Sequence, residues 1–209
     1  RLRCDWSSDV CSSDLQDAAR AMARRNIDTF LGAGVDAIVT SSAGCGASMK
    51  EYSRLLRDDA AYGEKAQRFS RMVQDITEFL ASLPIESPKI PLDVQVTYQD
   101  SCHLAHAQRL TAPPRTLLGA IPGLTLVEME HPGRCCGAGG AYQLTQREMS
   151  GQLRTHKLED ALATGAQVIA TANPGCMMQL ELGAREAGSN ITVCHVVDLL
   201  DQAYQQEDA

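Results

Sequence analysis

Apolar and polar positions in the first part of the chain predict helices separated by a short strand. Apolar residues spaced three and four apart predict helices from Asp17 to about Leu31 and from about Gly63 to Leu83. Between them, DAIVTSS is short and rich in β-branched residues, which is typical of a buried strand in a parallel sheet. A further helix is expected to begin near Ala47, which leaves Cys45 in the loop before it.

A proline-rich stretch, SLPIESPKIPL, separates this part from a second run of strands and helices. Strands are predicted in the second run at VQVTYQ, TLVEME, QVIATA and ITVCHV. Helices are predicted within DSCHLAHAQRL, over residues 145–163, from NPGC onwards and at VVDLLDQAY. Because strands and helices alternate, the sequence predicts a layered α/β fold with a mostly parallel sheet.

An internal repeat suggests how the chain is divided. VDAIVTSSAGC at 35–45 and AQVIATANPGC at 166–176 match as strand, turn, glycine and cysteine at an offset of 131 residues. In each copy a helical stretch ends in glycine just before the strand. We therefore predict two related modules, of which the first is truncated: a remnant at 16–84, a linker at 85–92 and a complete second module at 93–209.

The first fifteen residues do not fit this pattern. Residues 1–15 have neither helical nor strand periodicity, and residues 5–15 resemble the translation of a sequencing adapter. We assign 1–15 to a non-native segment, with a disordered N-terminal tail as the alternative; both interpretations leave Cys4 and Cys11 out of the search for a site. The natural sequence is expected to start near Gln16, in mid-protein.

Charge and cysteine content narrow the class of function. A formal net charge of −7 argues against a nucleic-acid partner, which favours a basic surface. No apolar run approaches the roughly 20 residues of a membrane-spanning helix, so a soluble protein is expected. There are eight cysteines, but no secretory leader is apparent and adjacent cysteines bridge each other poorly. A cytoplasmic metal site is therefore favoured over disulfides.

Four cysteines are placed to meet at one edge of the predicted sheet. Cys102 follows one strand, Cys135 and Cys136 follow the next, and Cys176 follows a third. Because ligands bind at the carboxyl ends of parallel strands, we expect the four thiolates to converge. Adjacent cysteines do not easily chelate one tetrahedral ion, but they can bind two different irons of one cluster. The sequence therefore predicts an iron–sulfur cluster held by these four cysteines, beside the backbone of Gly137.

Other residues near the cysteines have weaker signals. Gly137, Gly139 and Gly140 let the backbone approach a cluster and present N–H groups to it. Cys45 occupies the place in the repeat that Cys176 occupies, so it is a further candidate metal ligand, or a free thiol if its own module partners are missing. His103, His106 and Arg134 are interpreted as supporting or solvent-facing residues, His195 as a residue without a partner pattern and Cys194 as a core residue.

Two alternatives remain open for the four thiolates. They can bind a structural or regulatory zinc ion, although the wide spacings differ from the usual zinc knuckles. They can also form a thiol–disulfide redox site. No Ser-His-Asp set, phosphate-binding loop or Rossmann glycine pattern is present, so no catalytic residue is predicted.

The motifs DSCHLAHAQ, RCCGAGG and NPGC resemble the cysteine-rich CCG domain that occurs twice in one of the subunits of heterodisulfide reductase and in its relatives. Within that group, SSAGCGASMKEY, CHLAHAQRL and CCGAGGAYQLT look most like iron–sulfur subunits of glycolate oxidase, also called glycolate dehydrogenase. Such subunits carry a ferredoxin-like part with two 4Fe–4S clusters, followed by two CCG modules. They pass electrons from a flavoprotein that oxidises a 2-hydroxy acid toward the respiratory chain.

The resemblance implies an electron-transfer subunit with a 4Fe–4S type of cluster and with FAD only in its partner subunits. It also implies a cytoplasmic location, peripheral at the inner face of the cell membrane. The ferredoxin-like cysteines and most of the first module are absent, so a C-terminal fragment is expected. The five-cysteine form of the motif ends in C-x-x-C, but here Gln179 and Ser48 stand in the last position of the two copies. The missing cysteines favour a four-thiolate site over the noncubane double cluster of heterodisulfide reductase.

Overall fold

The computed structural model describes residues 13–84 and 86–205, with side chains from Gln16 onwards. The assignment of residues 1–15 as non-native therefore lies almost wholly outside the described residues, as do Cys4 and Cys11. The described residues form two compact units, one made of residues 13–40 and 45–74 and the other of residues 41–44 and 75–205. The predicted division into modules at 16–84, 85–92 and 93–209 stays a prediction.

The first unit is mainly helical. Its elements, including the helix that begins at its border, are α1 (Ser13–Gly32), β1 (Ile38–Thr40), α2 (Ala43–Lys50), α3 (Tyr52–Leu55), α4 (Gly63–Met72) and β2 (Val73–Asp75). β1 and β2 pair in a two-stranded sheet. Ile27, Leu56 and Phe69 are almost wholly buried at the centre of its apolar core. Cys45 lies within α2, so the prediction that it lies in a loop before the helix is wrong.

The long helix predicted from Gly63 to Leu83 is interrupted. It consists of α4, the short strand β2 and a second helix, α5 (Ile76–Ser82). Two local features explain the break: Val73 is buried in the strand that pairs with β1, and Asp75 caps the new helix. The Asp75 carboxylate accepts a hydrogen bond from the Thr77 backbone N–H at 2.9 Å, which satisfies one of the free donors at a helix start.

The second unit is a parallel sheet covered by helices. After α5 come β3 (Gln95–Tyr98), a π-helical turn (His103–Ala107), α6 (Ala112–Gly119), β4 (Thr125–Leu126), α7 (Tyr142–Thr145), α8 (Arg147–Leu162), β5 (Val168–Thr171), α9 (Pro174–Glu186), β6 (Thr192–His195) and α10 (Val196–Tyr204). The strand order is β4-β3-β5-β6, and each neighbouring pair is parallel. The predicted layered α/β fold with a mostly parallel sheet is confirmed.

The core of the second unit has two apolar clusters. Ala170 belongs to one with residues of α6 and α10, and Ile169 belongs to the other with residues of α8 and α9. Because side chains alternate across a strand, these neighbours show that both faces of the sheet are covered. Cys136 and Cys176 are members of the second cluster. The site is therefore built into the packed core.

Some elements of the second unit differ from the prediction. The strand expected over TLVEME is short: only Thr125–Leu126 form β4, an edge strand whose only partner in the described sheet is β3. Helix α6, which has proline in its first turn, was not predicted. The helix expected over residues 145–163 begins as α8 at Arg147, after the separate turn α7.

Candidate metal centre

Four cysteine thiols meet beyond the carboxyl ends of three adjacent strands. Cys102 follows β3, the pair Cys135 and Cys136 lies in the loop after β4, and Cys176 is in the first turn of α9 after β5. The thiols contact one another in a row: Cys102 with Cys135, Cys135 with Cys136, and Cys136 with Cys176. The structure therefore brings together the four cysteines that the sequence placed at one sheet edge. Their role as ligands is a separate question.

The row of thiols runs from a partly open end to a closed end. Cys102 and Cys135 are half-buried, whereas Cys136 and Cys176 are each only 2% exposed. All four are free thiols. A group bound along the row would therefore be shielded from water on its Cys176 side.

Hydrogen bonds within the row divide the thiols into two kinds. Donation from Cys102 and Cys136 lowers the pKa of Cys135 to about 2, assisted by the Gly137 backbone N–H at 3.3 Å from its sulfur. Donation from Cys136 likewise lowers the pKa of Cys176. The same bonds, together with burial, raise the pKa values of Cys102 and Cys136. Hydrogen bonding along the row thus favours the thiolate form at Cys135 and Cys176, and thiolate is the form of cysteine that binds metals.

Gly137 fixes the backbone just after the adjacent pair Cys135 and Cys136, which we call the cysteine doublet and which lies in the doublet loop. Its φ is +85°, in the left-handed region, and a Cβ here would collide with the Ser150 carbonyl oxygen. The Ser150 hydroxyl donates to the Gly137 carbonyl at 2.8 Å, and Gln179 in turn donates to that hydroxyl at 2.9 Å. Gln179 stands where the five-cysteine form of the motif has its last cysteine, so a buried amide here braces the loop.

Lys157 fixes the backbone before the doublet. Its side chain is fully buried, and its ammonium donates to the carbonyls of His131 and Pro132, both at 2.8 Å. The carboxylate of Asp160 accepts from the His131 backbone N–H at 3.2 Å. The doublet loop is thus held on both sides by residues of α8.

Asn173 supports the Cys176 end of the row. Its amide nitrogen lies 3.4 Å from the Cys176 sulfur, and this contact helps to lower the pKa of that thiol. Its amide oxygen accepts from the Gly44 backbone N–H at 3.2 Å and from the Ser42 hydroxyl at 3.5 Å. Because Ser42 and Gly44 hold the amide oxygen of Asn173 by hydrogen bonds, its amide nitrogen points toward the Cys176 sulfur.

The Cys102 end is held by an ion-pair network. Arg115 makes two hydrogen bonds of 2.9 Å to the carboxylate of Asp100, two residues before Cys102, and two more to Glu128. Its bonds to these carboxylates raise the pKa of Arg115 further. The Asp100 backbone N–H donates to the Pro132 carbonyl at 3.1 Å. The strand end and the doublet loop are therefore tied together.

Some sequence-predicted residues lie where they were expected and others do not. Gly139 and Gly140 are exposed with positive φ, at the turn into α7. His106 and Arg134 are exposed, and His103 is half-buried with its Nδ1 3.8 Å from the Cys102 sulfur. Cys45 is exposed in α2 and belongs to the other compact unit, and the two roles considered for it, metal ligand and free thiol, both stay predictions.

His195 and Cys194 lie together at the end of β6, outside the row. His195 has no partner pattern in the sequence, but in the structure its Nδ1 accepts from the Val197 N–H at 3.2 Å and its Nε2 donates to the Ser41 carbonyl at 3.0 Å. Cys194 is half-buried in β6, where burial raises its pKa to about 12.

The residues that support the row were missed by sequence reasoning. Ser150 and Lys157 are polar residues that are buried on α8 together with Leu158 and Ala161, and this pattern can be seen only once α8 is assigned. Asn173 is the first residue of the motif NPGC, but its role depends on Ser42 and Gly44, which are distant in sequence.

In the part of the chain that the structure describes, no group of three or more His, Cys, Asp or Glu side chains is arranged so that it could hold a metal ion. The thiols lie in a row of pairwise contacts, so binding of a metal group requires the cysteine side chains to change position. The donor set itself fits an iron–sulfur cluster, since it offers four sulfurs and a backbone N–H at sulfur. None of the described helices is long and apolar enough to cross a membrane.

Comparison with known proteins identifies relatives over most of the chain. The cysteine-rich domain family CCG matches residues 8–50 and 96–181. A probable glycolate oxidase iron–sulfur subunit of Bacillus subtilis is 37% identical over 192 residues, covering 90% of this chain and 43% of the relative. The glycolate oxidase iron–sulfur subunit of Escherichia coli is 35% identical over 196 residues, covering 92% and 46%. Lactate utilization protein A of Bacillus licheniformis is 33% identical over 193 residues, covering 91% and 79%. The chain thus spans less than half the length of these two glycolate oxidase subunits.

Proposed function

The chain belongs to the cysteine-rich domain family CCG, and from that premise we propose that it is an iron–sulfur electron-transfer subunit of a 2-hydroxy-acid oxidase complex of the glycolate type. Cys102, Cys135, Cys136 and Cys176 hold one cluster of the 4Fe–4S type. The observation that carries this proposal is the row of four contacting thiols from three strand ends.

The arrangement suits a cluster better than a single ion for a chemical reason. Cys135 and Cys136 are adjacent, and neighbouring sulfurs can each bind a different iron of one cluster. When bound, the cluster accepts and donates single electrons. The protein contributes thiolates, the N–H of Gly137 and burial, and these features tune the cluster and exclude water from its closed side.

The wider setting follows from the names of the relatives. Two of them are named as iron–sulfur subunits of glycolate oxidase, which supports a partner that oxidises a 2-hydroxy acid. FAD belongs to that partner, so oxidation of the substrate carbon takes place outside this chain. The complex works in the cytoplasm, peripheral at the inner face of the membrane. The alternatives, a zinc module and a thiol–disulfide subunit, have no support in the names of these relatives.

The test is anaerobic reconstitution of the chain with iron and sulfide. We expect a broad absorbance at about 400 nm and about four irons per chain. Cys136→Ser should lose both the absorbance and the iron, since it removes the thiol that contacts both Cys135 and Cys176. Cys194→Ser is the matched control, because Cys194 is a half-buried thiol outside the row, and it should keep both. A colourless protein that binds one zinc would replace this proposal with the zinc alternative.

A further inference from the structure

Helix α8 presents one polar face to the doublet loop. Ser150 and Lys157 are seven residues apart, so they lie two turns apart on the same face of the helix. Ser150 donates to the carbonyl of Gly137, after the doublet, and Lys157 donates to two carbonyls before it. One rigid helix of 16 residues therefore sets the position of both cysteines in the doublet.

Holding carbonyls does not by itself explain a charged residue at position 157. Ser150 braces the other side of the loop with a neutral hydroxyl. In the described part of the chain Lys157 is the one lysine or arginine classed as buried, with no exposed surface. Burying a cation is costly unless negative charge lies nearby, whereas a neutral donor would brace the same carbonyls at lower cost.

The surroundings of Lys157 compensate its charge only in part. Burial lowers the pKa of the Lys157 ammonium to about 8, although Asp160, Asp100 and Cys136 act in the opposite direction. The charge of Lys157 also acts on the thiol of Cys176, whose pKa it helps to lower. The two buried cysteines of the row are therefore within the electrostatic reach of this ammonium.

We infer that Lys157 has two roles toward a cluster held by the row: it positions the doublet loop, and its buried charge raises the reduction potential of the cluster. This inference rests on the proposed function. Reduction adds one negative charge to a group already surrounded by thiolates, so a fixed cation nearby stabilises the reduced state more than the oxidised state. The effect is strong because the ammonium is fully buried and the two buried cysteines, Cys136 and Cys176, are each only 2% exposed.

The experiment is a redox titration of the reconstituted chain, with iron content and thermal unfolding measured on every variant. Lys157→Gln keeps an amide donor for the carbonyls but removes the charge, and Lys157→Met removes both. Lys89→Met is the matched control, since it removes a charge from a side chain that is 79% exposed. Ser150→Ala removes the neutral brace and leaves the charge in place.

The expected results separate the two roles. Lys157→Gln and Lys157→Met should lower the equilibrium constant for reduction about tenfold, which is about 59 mV for a one-electron couple. Lys89→Met should leave the potential unchanged. Lys157→Met and Ser150→Ala should both lose iron faster than the wild type, whereas the potential of the cluster that Ser150→Ala retains should not move.

Three outcomes would overturn the inference. If Lys157→Gln and Lys157→Met hold a full complement of iron and keep the wild-type reduction potential, the charge of Lys157 does not act on the cluster. Wild-type rates of iron loss in Lys157→Met would remove the positioning role. Failure of both neutral variants to fold without iron would assign Lys157 to the fold instead of the cluster. A wild-type chain that binds no iron would instead count against the proposed function itself.

Discussion

The two copies of the internal repeat have the same local structure but very different cysteines. Cys45 is the third residue of α2, and Cys176 is the third residue of α9. Each helix follows a short strand, and each strand is preceded by a glycine with positive φ, +66° at Gly34 and +71° at Gly165. Yet Cys45 is exposed and Cys176 is only 2% exposed. The same local sequence therefore builds the same turn without building the same site.

The surrounding residues account for this difference. Cys176 contacts Cys136 from the loop after β4, at one end of a row that reaches Cys102 after β3. These loops have no counterpart in the short sheet of the first unit. The supporting helices differ as well, since Asn26 in α1 occupies the place in the repeat that Lys157 occupies in α8. Asn26 donates to the hydroxyl of Tyr52 within its own unit. At equivalent positions, Asn26 therefore makes a hydrogen bond within the first unit, whereas Lys157 holds the doublet loop.

The sharpest test of this comparison exchanges the two matched cysteines for serine. Cys176→Ser should abolish cluster assembly, because it removes the buried end of the row. Cys45→Ser should leave iron content and absorbance unchanged, since Cys45 lies exposed in the first copy. Iron analysis after anaerobic reconstitution measures both. Loss of iron in Cys45→Ser would make Cys45 a ligand and remove the contrast between the copies.

A smaller effect is expected from the glycines. Gly137→Ala should destabilise the iron-free chain by about 2–4 kcal/mol, because it combines left-handed strain with a collision against the Ser150 carbonyl. Gly34→Ala should cost only about 1 kcal/mol, since its φ is also positive but no atom lies within 4 Å of the added Cβ. Urea unfolding of both variants gives the two values. If both variants lose the same free energy of unfolding, the backbone at Gly137 is not tightly packed against α8.

The last prediction is a pH dependence that comes from Lys157 in the second copy and that its counterpart Asn26 in the first copy cannot give. The pKa of Lys157 is about 8 in the folded chain, below the ordinary 10.5. Between these values the unfolded chain holds more protons than the folded one, so this lysine makes the free energy of unfolding rise with pH in that window. Below the window its buried charge lowers the free energy of unfolding by a constant amount.

The measurement compares the wild-type iron-free chain with Lys157→Met in urea unfolding at several pH values. The rise in the free energy of unfolding from about pH 8 upwards should be weaker in the variant. The variant lacks the titrating group at position 157, whereas the other titrating groups are common to both proteins. Asn26→Met is the matched variant in the first copy, and it should keep the wild-type profile, since an amide does not titrate. Identical profiles for the wild type and Lys157→Met would show that Lys157 is not held in a desolvated environment.

Much of the fold could be predicted because the second unit follows simple patterns. Strands β3, β5 and β6 are short apolar runs, and α9 and α10 begin where the motifs NPGC and VVDLLDQAY placed them. The break between α4 and α5 could not be predicted from periodicity, since the apolar stripe continues through it. It depends on Val73 pairing with a distant strand and on Asp75 acting as a cap.

The candidate site was predictable in its cysteines but not in their support. Spacing after successive strands was enough to bring Cys102, Cys135, Cys136 and Cys176 to one sheet edge. The support comes from pairs far apart in the sequence, such as Lys157 with His131 and Asn173 with Gly44. Such pairs are fixed by packing between elements, and local pattern carries no information about them.

The most direct test of the central claim is the joint determination of iron and acid-labile sulfide on the anaerobically reconstituted chain. If the four thiols hold one cluster of the 4Fe–4S type, the chain should contain about four of each. A chain that takes up a single zinc ion, with neither iron nor sulfide, would contradict the claim.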